Sequence, residues 1–150
     1  MHNTALAEMA REDGQYTDWK YFRFDVPPAD LPQALVALHS RGFHGINLTV
    51  PHKILAVKEV AHIDQAAQPV GAINTLQRTT ASWTGYNTDG YGLAAAVQES
   101  LGLELQDRHV ILIGAGGAAR GAAVECLQRR CASLWIANRT VDNLERLLTI

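Results

Sequence analysis

At 150 residues, 47% hydrophobic, 19% charged and with a net charge of −2, the chain has the make-up of a soluble globular protein of one average domain or two small ones. It offers no basic footprint for nucleic acid, and no apolar run approaches the roughly 18 residues that span a membrane. It opens without a signal-peptide pattern, and Cys126 and Cys131 stand in neither a C-x-x-C nor a zinc spacing, so a cytoplasmic protein with reduced thiols is expected. The six histidines form no H-E-x-x-H and no i, i+4 pair, and no metal site is expected.

In chain order, Asn3 or Thr4 can cap a helix that runs to about Asp13 and stops at Gly14. Residues 21–26 are rich in β-formers and read as a strand, broken by Pro27 and Pro28. Asp30 caps the next helix, Pro32 lies in its first turn, and Leu31, Leu35 and Leu38 share one face before Gly42 stops it. Ile46, Leu48 and Val50 alternate with Asn47 and Thr49, which reads as a short strand ending at Thr49, with Pro51 barring its continuation. The two strands and the helix between them form a right-handed strand–helix–strand unit. Residues 53 to about 62 read as a helix. Residues 71–77 and 83–86 read as a hairpin, and 90–101 as an Ala-rich helix with Gly102 beyond its end.

A second unit follows. Residues 109–113 read as a buried strand, a glycine turn opens a helix to about Arg129, 133–137 read as a second strand, and 141–148 as a helix. A helix is expected to start near Gly117.

Two places in this layout carry chemistry. Asn47, Thr49, His52 and Lys53 gather where a strand meets a helix, and open α/β sheets bind ligands at the carboxyl ends of strands. Lys53 is one of only three lysines; by itself it reads either as a solvated surface group or as a proton-transfer group. Gly114, Gly116 and Ala119 fit G-x-G-x-x-G/A after a strand and at a helix start, where free N–H groups meet a pyrophosphate; a purely structural glycine turn would share those letters. Where an NAD site carries Asp or Glu, the chain has Asn138, Arg139 and Thr140. An arginine fork suits the 2′-phosphate of NADP, so NADP is the expected cofactor.

The run from Asn47 to Lys53, the run Val70-Gly71-Ala72-Ile73-Asn74-Thr75-Leu76 and the run Gly85-Tyr86-Asn87-Thr88-Asp89-Gly90-Tyr91-Gly92 resemble, in order and spacing, the signature series of shikimate dehydrogenase. The resemblance covers essentially the whole chain. It implies an α/β fold, with an N-terminal α/β substrate-binding catalytic domain over 1–88, a linking helix and loop over 89–105, and a partial Rossmann NADP-binding domain over 106–150. The implied activity is the NADP-dependent, reversible reduction of 3-dehydroshikimate to shikimate in aromatic amino-acid biosynthesis. The resemblance makes Lys53 and Asp89 the catalytic pair and Thr49, Lys53, Asn74 and Asp89 the substrate contacts. It gives Gly114, Ala115, Gly116, Gly117, Ala118, Asn138, Arg139 and Thr140 to the cofactor.

Read singly, Asp89 serves equally as a helix cap, Asn74 as a strand-end bond and His52 as a structural group. Where family members place a second basic residue, this chain has Asp142 and Asn143, which implies a weaker NADP preference. The implied partner is a small-molecule substrate, and the implied complete protein a monomer or homodimer. The family's opening strand with its Ser-rich loop and the later part of its cofactor domain have no counterpart. The chain is therefore expected to be an internal fragment with little activity of its own. A quinate-acting relative and a non-catalytic nucleotide-binding module are the alternatives.

Overall fold

A computed structural model describes residues 2–149. In chain order the elements are α1 (His2–Glu12), α2 (Leu31–Ser40), β1 (Gly45–Asn47), α3 (His52–Leu55), β2 (His62–Ile63), β3 (Thr75–Arg78), β4 (Trp83–Tyr86), α4 (Asp89–Leu101), β5 (His109–Ile113), α5 (Gly117–Gln128), β6 (Ser133–Ala137) and α6 (Val141–Leu148). The α/β class expected from the sequence is the class observed.

Leu31 and Leu35 lie one turn apart on α2 and are each 3% exposed, because that face rests on a four-stranded sheet of order β1-β3-β4-β2. The β1–β3 and β3–β4 pairs are antiparallel, and β2 runs parallel to β4. Ile73, Leu76 and Trp83 meet the two leucines in one core. The Trp83 indole N–H finds its acceptor at the Leu35 carbonyl, 3.1 Å away.

In the second unit β5 and β6 pair in parallel, Val110 opposite Leu134 and Leu112 opposite Ile136, with α5 as the crossover. The buried face of α5 is made of small residues, among them Ala119, Gly121, Ala122, Ala123 and Cys126. That lets it lie close on the strands and on α4. Burial pushes the Cys126 thiol above its ordinary range, with Cys131 and Glu125 adding to the shift, so it stays protonated and unreactive. The two units touch where Val70 and Ala72, just before β3, share a buried cluster with Val124 of α5.

Several expectations give way to tertiary context. Residues 21–26 form no strand, so the strand–helix–strand unit is not made. β-Formers need a neighbouring ladder. Here the Tyr21 N–H donates instead to the Asn3 side chain at 2.7 Å, and the Asn3 amide donates to the Tyr21 carbonyl at 3.0 Å. Phe22 and Phe24 each make a T-shaped contact with Phe43 but stay more than half exposed. Asn3 therefore caps nothing; it is already inside α1. Asp30 sits at the N-cap of α2 with helical dihedrals (φ −94°, ψ −1°), and its side chain makes no capping bond.

β1 ends at Asn47, two residues before Thr49, because the chain turns there into α3; only the Leu48 N–H, 2.8 Å from the Asn74 carbonyl, continues the pairing. The helix expected over 53–62 is a four-residue α3 followed by a 3-10 turn, Ala56–Lys58. Val57 and Val60 are poor helix formers, and the chain is drawn into β2 with Ile63 against the core. β3 begins at Thr75 rather than Gly71, since Gly71 closes a 3-10 turn in the left-handed region at φ +62°.

The strand expected to be buried over 109–113 is covered by α5 on one face alone: on the outer face of the β5–β6 pair, Ile111, Ile113 and Trp135 are 73%, 86% and 70% exposed. An apolar patch of this kind drives association. Residues 1–150 expressed alone are expected to elute from a sizing column as oligomers, and Trp135→Gln should shift them toward monomer. A monodisperse wild-type monomer would contradict this.

Candidate active site

The Thr49 carbonyl accepts from the N–H groups of His52 (2.8 Å) and Lys53 (3.3 Å), and this turn launches α3. The Lys53 carbonyl in turn accepts from the Ile73 N–H at 2.8 Å, which ties α3 to the segment before β3. The start of α4 is fixed from the same side. The Asn87 amide donates to the Ala72 carbonyl at 2.9 Å, and its oxygen accepts from the Asp89 N–H at 3.0 Å.

Between these anchored turns Lys53 Nζ donates to Asp89 Oδ2 at 2.7 Å, with the two side chains 15% and 21% exposed. Asp89 Oδ1 accepts from Asn74 Nδ2 at 2.8 Å. Asn74 is the buried polar residue of the described core, and its orientation is fixed on both sides. Its oxygen accepts from the Thr88 N–H and from the Thr75 hydroxyl, each at 3.0 Å, while its NH₂ reaches Thr88 Oγ1 as well as Asp89. The bracing runs outward: Asn47 Nδ2 donates to Thr75 Oγ1 at 3.1 Å, and the Tyr21 hydroxyl donates to Asn47 Oδ1 at 3.2 Å. Asp89 is thus an ion-pair partner and not a cap. An ammonium has three protons, so a lysine that gives one to Asp89 retains two for a ligand oxygen.

The structure gathers Lys53, Asn74 and Asp89. Thr49 lies one turn before Lys53 and is exposed. His52 is structural: its Nε2 lies 2.8 Å from the Val26 carbonyl.

The glycine turn lies against this cluster. Gly114 leaves β5 at φ +116°, a region open to glycine, and its N–H donates to the Ala137 carbonyl at 2.7 Å, joining the ends of β5 and β6. A Cβ on Gly114 or Gly116 would meet no heavy atom within 4 Å, so a ligand can come close to both backbones. α5 starts at Gly117, and a Cβ there would lie 3.8 Å from Lys53 Cδ. Ala115 and Ala118 complete the turn. At the end of β6 the Asn138 amide donates to the Thr140 carbonyl at 2.7 Å. The exposed Arg139 between them makes no ion pair among the described residues.

Reading the sequence alone misses the bracing roles of Asn87, Thr88 and Thr75. The one sequence signal was the repeated dipeptide, Asn74-Thr75 and Asn87-Thr88; the hairpin, with Thr75 opposite Tyr86, brings the two copies together.

Two family profiles match the chain: one described as "Shikimate dehydrogenase substrate binding domain" over residues 1–76, the other as "Shikimate / quinate 5-dehydrogenase" over 95–149. The shikimate dehydrogenase (NADP(+)) of Geobacillus kaustophilus is 34% identical over 99% of this chain and 51% of its own length. A shikimate dehydrogenase crystallised with NADP+ superposes with a TM-score of 0.84 at 37% identity, over 96% of this chain and 49% of that one. The Thermus thermophilus enzyme solved with NADP(H) and shikimate gives 0.82 at 30% identity, over 97% and 54%. The chain spans about half the length of the curated relatives it matches.

Proposed function

Since the chain belongs to the shikimate/quinate dehydrogenase family, we propose that the full polypeptide carrying it reduces 3-dehydroshikimate reversibly to shikimate with NADPH. The observation that carries this reading is the 2.7 Å contact between Lys53 and Asp89 beside the first turn of α5. A ketone reduced by hydride becomes an alkoxide that needs a proton where the charge develops. Lys53 delivers that proton; Asp89 holds the ammonium in place, and Asn74 holds Asp89. In the reverse direction Lys53 takes the proton from the hydroxyl. Thr49 and Asn74 meet ring hydroxyls, Asn74 by exchanging its bond to Thr88 for one to substrate.

The open backbones at Gly114 and Gly116 and the free N–H groups at the start of α5 fit a pyrophosphate. Residues 114–118 hold it, and Asn138, Arg139 and Thr140 hold the ribose 2′-phosphate. Bound there, NADPH supplies the hydride. In this reading residues 1–88 carry substrate, 89–105 link, and 106–150 carry cofactor. The protein acts in the cytoplasm as a monomer or homodimer, within aromatic amino-acid biosynthesis. Among the described residues no helix is long and apolar enough to cross a membrane.

The 150 residues alone are expected to show little or no turnover, so the test uses the full polypeptide. NADPH oxidation is followed with 3-dehydroshikimate, then NADP+ reduction with shikimate and with quinate. Turnover with 3-dehydroshikimate is expected, and its absence would overturn the reading. Faster turnover of quinate would move the assignment to the quinate-acting branch. A non-catalytic nucleotide-binding module has no use for a paired, largely buried Lys53 and Asp89.

A further inference from the structure

α4 and α5 cross at two buried glycines, Gly90 and Gly121. A Cβ on Gly90 would stand 2.8 Å from the Gly121 carbonyl oxygen and 2.9 Å from Glu125 Cβ. One on Gly121 would stand 3.1 Å from Asn87 Oδ1, 3.2 Å from Asp89 Cβ and 3.4 Å from the Gly90 nitrogen. The helices therefore meet backbone to backbone, and the contact includes Asp89 itself. These helices carry the two halves of the site: Asp89 begins α4, and α5 opens from the glycine turn with Gly117 against Lys53. The other glycine inside α4, Gly92, has no atom beyond its own stretch of helix within 4 Å of where its Cβ would be.

Resting on the NADP-linked reading above, we propose that Gly90 and Gly121 are positioning residues for hydride transfer. Their missing side chains set the spacing between the glycine turn and the Lys53–Asp89 pair. A methyl at Gly90 meets a backbone oxygen, which cannot rotate aside, so α5 and its glycine turn must move away from Asp89. Displacing a reacting centre by about 1 Å from a remote site costs on the order of 10²-fold in rate. A methyl at Gly121 meets slightly longer contacts and should do less.

The test compares Gly90→Ala, Gly121→Ala and Gly92→Ala in the full polypeptide. Folded protein is quantified by circular dichroism, and NADPH deuterated at the transferred position reports the hydride step. Gly90→Ala is expected to lower kcat by about tenfold to a hundredfold, with the KM values for substrate and cofactor within about threefold of wild type. Its deuterium isotope effect should rise, because hydride transfer becomes rate-limiting. Gly121→Ala should shift the same way by less, and Gly92→Ala should match wild type.

A purely structural role would remove active protein and leave the isotope effect unchanged, and that result would overturn the proposal. So would equal behaviour of all three variants. Should Gly90→Ala fail to fold, Gly121→Ala decides by the same criterion. A wild type that oxidises no NADPH would bring down the underlying reading and this inference with it. An active wild type with unaffected Gly90 and Gly121 variants would remove this inference alone.

Discussion

Lys53→Ala is expected to lower kcat by about 10²- to 10⁴-fold, the scale for removing a positioned acid–base group. The truncation removes the proposed proton donor and leaves the Asp89 carboxylate, 21% exposed, without its cation. An unpaired charge in such a place also destabilises the fold, so rates must be normalised to folded protein. Asn74 still holds Asp89 Oδ1, which keeps the start of α4 in register. NADPH affinity should change little, because Lys53 lies outside the glycine turn and the atoms it brings near Gly117 are the aliphatic Cβ and Cδ. Turnover followed by NADPH absorbance, with cofactor fluorescence titration alongside, separates the two effects. A kcat within about threefold of wild type would mean that Lys53 is not the proton-transfer residue.

Arg139→Ala is expected to weaken NADPH binding by about 1.5–3 kcal/mol, the cost of a lost charge-assisted contact, and to leave NADH binding unchanged. The guanidinium is exposed at the end of β6 with no carboxylate partner among the described residues, so it is available to a phosphate. Asp142 and Asn143 follow where a second basic group would add to the contact, so the preference for NADPH over NADH is expected to be modest and to fall with Arg139. Parallel titrations with the two cofactors decide the matter. Equal losses for both would place Arg139 elsewhere than on the 2′-phosphate.

The parts of the fold that depend on local pattern were legible in the sequence. The second unit follows its apolar strands and small-residue helix almost residue for residue: β5, β6 and α6 have the expected bounds. The hairpin of β3 and β4 was also legible, because its turn sits between two strong β runs. The first unit was less so. Residues 21–26 have strand composition, but a strand is a statement about a neighbour, and Asn3 takes the backbone groups of Tyr21 that a ladder would use. β2 is two residues long and exists only because β4 offers a parallel edge, which no local pattern announces.

The site divides in the same way. The ion pair of Lys53 and Asp89 joins residues 36 apart in sequence, and the resemblance of the motifs already implies the pair. The orientation of Asn74 depends on hydrogen bonds with three residues, Thr75 of β3, Thr88 and Asp89 of α4, and could not be read from spacing. Nor could the crossing at Gly90 and Gly121, since glycines in a helix look alike in sequence whether they face open space or another backbone.

Lys53 and Asp89 are proposed to work as one unit, and a double-mutant cycle measures that coupling. Lys53→Ala, Asp89→Asn and the double variant are compared by kcat in the full polypeptide, per mole of folded protein. Groups that act as a unit give grossly non-additive losses. The double variant is expected to lose no more than about what Lys53→Ala loses alone. Losses that multiply, or an Asp89→Asn variant with wild-type kcat, would contradict it.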